Sequence, residues 1–274
     1  HLAVRRQRQM CIRDRHNTGA TYALSLSGST SITAGTGVTL ESLNNNTGTI
    51  ALLSSGGING GSGTVLMRAA NYAFGGADRT ITTTGVLTIE PDADENSFAS
   101  SFDNQYLNPV SVTGLTLGKS SNASAITLSR AISLSGPVSI YGGSIDVNAN
   151  ITANSGNILL DADTGSTLNQ SSTGILLDDA ITIETVTSGN LTLIGRSGDT
   201  GSGFDGIDAS SANTTTLRSA GNLTLQGYSY AASGSGRGVD LNNDVIAASG
   251  TVSMTGQHNT GATYALSLSG STSI

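Results

Sequence analysis

Twelve three-residue segments of the chain follow one pattern, an aliphatic residue, a polar one and a second aliphatic. They occupy 24–26, 38–40, 87–89, 115–117, 126–128, 132–134, 138–140, 145–147, 181–183, 191–193, 223–225 and 252–254. Alternation at period 2 turns the outer pair to a core and the centre to water, so each triplet reads as a half-buried strand. A helix would need a 3.6-residue period carried by Ala, Leu, Glu, Lys and Arg. Lysine occurs once here, as Lys119. The intervals hold Gly, Asn, Asp and Ser, which favour turns. Gly-Asn leads a strand at Gly156-Asn157, Gly189-Asn190 and Gly221-Asn222.

Strands this short, with a turn between each, do not suit a sandwich, where turn signals come about every 8–12 residues. They suit a coil that bends three times per turn, in which each strand pairs with its counterparts one rung away. The expected fold is all-β, a right-handed parallel β-helix. Two rivals are disorder, suggested by the Gly and Ser content, and a Greek-key or Ig-like tandem array. Against disorder, 36% of residues are hydrophobic and they fall at strand period. At about 20–25 residues per turn the chain makes about 10–13 rungs, a rod about 50–60 Å long.

One segment breaks the texture, residues 91–109 (PDADENSFASSFDNQYLNP). Phe98, Phe102 and Tyr106 are spaced i, i+4, i+8, one stripe of a helix, with Asp94 or Asn96 placed to cap it. A short helix is expected there, its aromatics sealing the core.

Residues 16–32 and 258–274 are the same seventeen residues, HNTGATYALSLSGSTSI. The period is 258 − 16 = 242, and repetition at a fixed period marks an architecture built by stacking. The chain reads as a fragment of a longer repeat array, its partners being neighbouring repeats. Residues 1–15 (HLAVRRQRQMCIRDR) differ from the rest. They hold five of the twelve basic residues and the single cysteine, Cys11. They resemble translated sequencing-adapter DNA and are expected to lie, disordered, outside the fold. The remaining single domain, 16–274, has 12 − 5 = 7 basic and 19 − 1 = 18 acidic residues. That balance argues against nucleic acid, which needs a basic face. No apolar run approaches the roughly 18 residues of a membrane helix.

Several phrases, in order, resemble the filamentous-haemagglutinin-like large secreted proteins of bacteria. They are Gly-Val-Leu-Thr-Ile-Glu-Pro at 85–91, Gly-Leu-Thr-Leu-Gly at 114–118, the run 125–151 (AITLSRAISLSGPVSIYGGSIDVNANI) and Gly-Asn-Leu-Thr-Leu at 221–225. The likeness covers most of 31–257. It implies a right-handed β-helical fibre, secreted or on the outer cell surface, that serves adhesion or biofilm contact. Host or cell-surface glycans or proteins would be bound through other regions, and export would use a two-partner or autotransporter route.

Catalytic groups are sparse. Beyond residues 1–15, histidine occurs only as His16 and its copy His258, without a cysteine partner. Asp178-Asp179 is the best candidate for a carboxylate pair of the glycosidase kind, and otherwise reads as a polar turn. A β-helical carbohydrate-active enzyme or carbohydrate-binding module is the alternative function. Three acidic groups are candidates for calcium. Asp161-Ala-Asp163-Thr-Gly165 begins like a calcium loop but lacks its later ligands. Glu90, Asp92, Asp94 and Glu95 form the densest cluster. Asp199, Asp205 and Asp208 lie in a glycine-rich stretch. Thr39, Thr88, Thr116, Thr127, Thr182, Thr192 and Thr224 could align as ladders that bind ice or carbohydrate, or simply be good solvent-side strand residues. No catalytic, cofactor or metal residue and no enzyme activity is expected of the chain.

Overall fold

The computed structural model describes residues 10–14, 22–42, 48–53, 56–92, 95–162, 172–178, 180–209, 213–259 and 264–274. Their strands wind as a parallel coil of three faces. On the first face lie β1 (Met10–Asp14), β4 (Val38–Ser42), β7 (Val65–Arg68), β10 (Val86–Glu90) and β13 (Gly114–Leu117). It continues through β16 (Val138–Tyr141), β19 (Ile158–Ala162), β22 (Leu191–Arg196), β25 (Leu223–Ser229) and β28 (Val252–His258). The second face carries β2 (Leu24–Leu26), β5 (Thr49–Leu52), β8 (Asn71–Phe74), β11 (Phe102–Asp103) and β14 (Ile126–Leu128). β17 (Ile145–Val147), β20 (Ile175–Leu177), β23 (Ile207–Ala209), β26 (Val239–Asn242) and β29 (Leu266–Ser269) complete it. The third face holds β3 (Ile32–Thr33), β6 (Ile58–Asn59), β9 (Arg79–Thr82), β12 (Leu107–Val110) and β15 (Ile132–Leu134). After them come β18 (Ile151–Ser155), β21 (Thr182–Ser188), β24 (Thr216–Ser219) and β27 (Val245–Ala248).

Among the described residues every strand pairs in parallel with the strand three places on or back, so three strands make one rung and ten rungs are seen. The first face is a single ten-stranded sheet. Its inward columns run Val38, Val65, Leu87, Leu115, Val138, Ile158, Leu191, Leu223 and Leu40, Met67, Ile89, Leu117, Ile140, Leu160, Leu193, Leu225, all buried. Each such side chain contributes roughly 1.5–3 kcal/mol through burial. All twelve triplets therefore lie on strands, with Ile181 one residue before β21.

The Gly-Asn pairs form a ladder at one corner. Asn190 N–H donates to Asn157 Oδ1 (2.8 Å), Asn222 N–H to Asn190 Oδ1 (2.8 Å) and Thr251 N–H to Asn222 Oδ1 (2.9 Å). Gly189 is obligatory beside it: its φ is 112°, and a Cβ would lie 2.0 Å from Gly156 O. These corner residues are 33, 32 and 29 apart, so the turns are longer than expected and the rungs number ten. The shortest rung steps are Ile126 to Ile145 and Ile132 to Ile151, 145 − 126 = 151 − 132 = 19 residues.

The expected helix at 91–109 does not form, and the described residues contain no helix. Several backbone donors of this segment go to the next rung, and Ala99 N–H goes to Ala70 O of the rung before (2.8 Å), not to carbonyls four residues back. Phe102 N–H goes to Ala125 O (3.0 Å), Asn104 N–H to Thr127 O (3.2 Å) and Phe98 N–H to Asn122 Oδ1 (3.2 Å). The segment is the turn and second-face strand of a rung. Phe98 and Phe102 are buried, stacked at 5.6 Å, and each meets Tyr72 edge-on at 5.7 Å. Tyr106 is half-buried. This aromatic cluster fills the place where the second face is interrupted between β8 and β11. The third face breaks between β12 and β15. β12 contains Pro109, which has no N–H to offer a further strand.

Residues 1–15 do not all stand outside the coil, as expected of them. Met10–Asp14 pairs in register with β4, Met10 opposite Val38. A sheet edge presents unpaired N–H and C=O groups to any segment able to extend along it. The rest of 1–15 lies outside the described residues.

Candidate functional site

Three aspartates converge on the second face. Asp208 on β23 and Asp240 on β26 are register partners one rung apart. Asp205 sits in the turn before β23, where its backbone carbonyl accepts from Gly174 N–H (3.0 Å). One carboxylate oxygen from each of the three lies within 4.8 Å of the others. Asp205 is 7% exposed and Asp240 3%. Arg237 ties the group together: its backbone N–H donates to Asp205 Oδ1 and its guanidinium to Asp240 Oδ2. Asp240 Oδ1 is buried and accepts no hydrogen bond among the described residues.

Burial pushes the Asp205 carboxyl from its ordinary 3.8 up to about 6, and Asp208 and Asp240 push the same way, against the Arg237 N–H bond. Asp244, just beyond β26, is also raised to about 6. Burial dominates there and outweighs hydrogen bonds from Thr215 N–H (3.1 Å) and Asn242 N–H (2.9 Å). Chemically the cluster offers hard oxygen donors. Oxygens up to 4.8 Å apart fit around one ion at about 2.4 Å, the calcium–oxygen range. Arg237 offsets part of the charge that would attract it.

The other candidates are dispersed. In the 90–95 group, Glu90 pairs with Arg68, which also reaches Glu41 at 3.1 Å, so three charges form a ladder across β4, β7 and β10. Lys119 Nζ is held by the carbonyls of Asp92 (3.2 Å) and Glu95. Asp94 lies outside the described residues. So do Asp179, Asp163, Gly165 and His16. Asp178 is exposed in the turn after β20, its N–H donating to Val147 O (2.9 Å). His258 is exposed on β28. Asp199 is not part of the aspartate group. Asn122, the first residue of a glycosylation sequon, is fully buried and its amide donates to Tyr141 O (2.8 Å).

The threonines are only partly brought together. Thr39, Thr88, Thr116, Thr192 and Thr224 share the central column of the first face, with Leu66, Ser139 and Leu159 interposed. Thr127 is on the second face and Thr182 on the third. A continuous flat threonine array is therefore absent from the described first face.

Sequence reasoning picked out Asp205 and Asp208 but missed Asp240 and Arg237. The signal was present: Gly206-Ile207-Asp208 recurs as Gly238-Val239-Asp240, one rung later. Comparison of the chain with protein-family models, with curated proteins and with solved structures returns no match.

Proposed function

We propose that this chain is a non-enzymatic spacer, a stalk segment of a large secreted or surface-exposed bacterial adhesin of the filamentous-haemagglutinin type. The observation that supports this is the unbroken ten-strand sheet of the first face, whose inward columns are aliphatic from rung to rung. Such a coil grows along one axis by repetition and transmits position over its length. Nine rung-to-rung steps at about 4.8 Å span about 43 Å. Binding of glycans or proteins belongs to other parts of the longer molecule, and the aspartate cluster is a structural feature of the rod.

Interposing the chain between a surface anchor and a binding head tests this. The head should move outward by about 43 Å, with its affinity unchanged. Turnover of a panel of polysaccharides by the free chain, lost in Asp208→Asn or Asp240→Asn, would instead place it among carbohydrate-active enzymes.

A further inference from the structure

The two copies of the seventeen-residue phrase hold equivalent places in the coil. β2 lies in the first and β29 in the second, and 266 − 24 = 242. Both are second-face strands, nine rungs apart. The unbroken first face gives the same count independently. Met10 and Val252 begin its first and tenth strands in one column, and 252 − 10 = 242. Individual rung steps vary from 19 to 34 residues, so this phase is no consequence of a constant rung length. The local geometry repeats as well. Thr30 Oγ1 donates to Ser27 O at 2.7 Å, and Thr272 Oγ1 to Ser269 O at 2.7 Å. Gly28 has φ 67° and Gly270 has φ 62°.

Because one Leu-Ser-Leu strand occurs near both ends, both of its edges can be seen in use. β29 shows the rung before it: Val239 opposite Leu266, Leu241 opposite Leu268. β2 shows the rung after it: Leu24 opposite Ile50, Leu26 opposite Leu52. Merged at the shared strand, the columns run Val239, Leu, Ile50 and Leu241, Leu, Leu52, aliphatic and without a register shift. Under β5, Leu24 is 9% exposed; its counterpart Leu266 is 37% exposed and Leu268 45%. The following edge of β29 is a docking surface with the residues that β5 already covers in rung one.

We propose that the 242-residue sequence period is a structural period of nine whole turns, and that the edge of the tenth rung takes the second rung of another copy of this same unit. This deepens the spacer reading and rests on it. Copies then join as one coil, each adding about 43 Å, and a head-to-tail contact of this kind propagates without closing.

The test compares the 274-residue chain with a longer one in which residues 33–274 follow Ile274 once more. Small-angle scattering should show a particle about 43 Å longer with the same cross-section. Amide exchange at 266–269 should slow on the order of 100-fold as the edge becomes interior. Leu266→Lys with Leu268→Lys in the longer chain should loosen the joint and leave both units folded. Two bodies hinged at the junction, or unchanged exchange at 266–269, would overturn the proposal. If the 274-residue chain is itself not a rod, the spacer reading fails; if it is a rod and only the longer chain hinges, the joint alone fails. Should the longer chain not accumulate, sedimentation of the 274-residue chain decides. Head-to-tail association, in which β29 takes the place of the incoming chain's own β2 beside β5, should rise with concentration and weaken in the double lysine variant; a strict monomer overturns the proposal.

Discussion

Asp205→Asn should stabilise the coil at neutral pH and remove part of its pH dependence. The folded carboxyl titrates at about 6, against an ordinary value of 3.8. Below the lower value the group is protonated in both states. Between the two, the folded chain holds a proton that the unfolded chain has released. Above about 6 both are ionised, and the folded state bears the burial of the charge beside Asp208 and Asp240. Stability is therefore lost as pH rises from about 4 to about 6.5. A shift of this size corresponds to at most about 3 kcal/mol at 1.36 kcal/mol per unit, and solvent access to the cluster reduces it to about 1–2 kcal/mol. Asparagine keeps the Oδ1 that accepts from Arg237 N–H and never ionises. Urea unfolding followed by circular dichroism, at pH 4.5 and 7.5 with a chelator present, would give the difference between variant and wild type at each pH. The variant should gain about 1–2 kcal/mol more at pH 7.5 than at pH 4.5. Parallel curves would refute the assignment of a buried, strained carboxylate at Asp205.

Other substitutions test the packing. Leu193→Ala removes a fully buried rung residue and should destabilise by about 2–5 kcal/mol, read as a lower urea midpoint. Gly227→Ala should be severe, because on β25 its Cβ would lie 1.9 Å from the backbone oxygen of Gly238; a loss of about 1–3 kcal/mol or more is expected from thermal melting. Tyr72 is half-buried, its phenol pushed well above the ordinary range chiefly by desolvation, and it donates to Met67 O at 2.8 Å and Glu90 O at 2.9 Å. Tyr72→Phe should lower stability by about 1 kcal/mol without a change in the circular dichroism spectrum.

Period-2 alternation made the rungs legible because each triplet meets the same demand, a narrow interior on one side and water on the other. It did not reveal strands such as β8 (Asn-Tyr-Ala-Phe) or β12, whose packing is set by the interrupted faces. The stripe of Phe98, Phe102 and Tyr106 misled for a physical reason. Four-residue spacing fits a helix, but it also arises when a turn and a short strand each send an aromatic inward, and only long-range pairing decides. Asp240 escaped because its carboxylate partner Asp208 is set by rung register, 32 residues away. Met10–Asp14 matched no rung by composition, yet a backbone edge accepts sequences that composition would reject.

The parallel ladder has a mechanical consequence. Rung-to-rung hydrogen bonds in such a coil lie along the rod axis, while the strands run across it. Tension between the ends therefore opens the coil at its margin a few bonds at a time and does not shear a whole sheet at once. Each rung that peels away surrenders about 4.8 Å of rod and releases 19–34 residues, roughly 65–115 Å of extended chain. A coil built this way holds its length under light load and lengthens in discrete steps under heavy load, which suits the proposed spacer role.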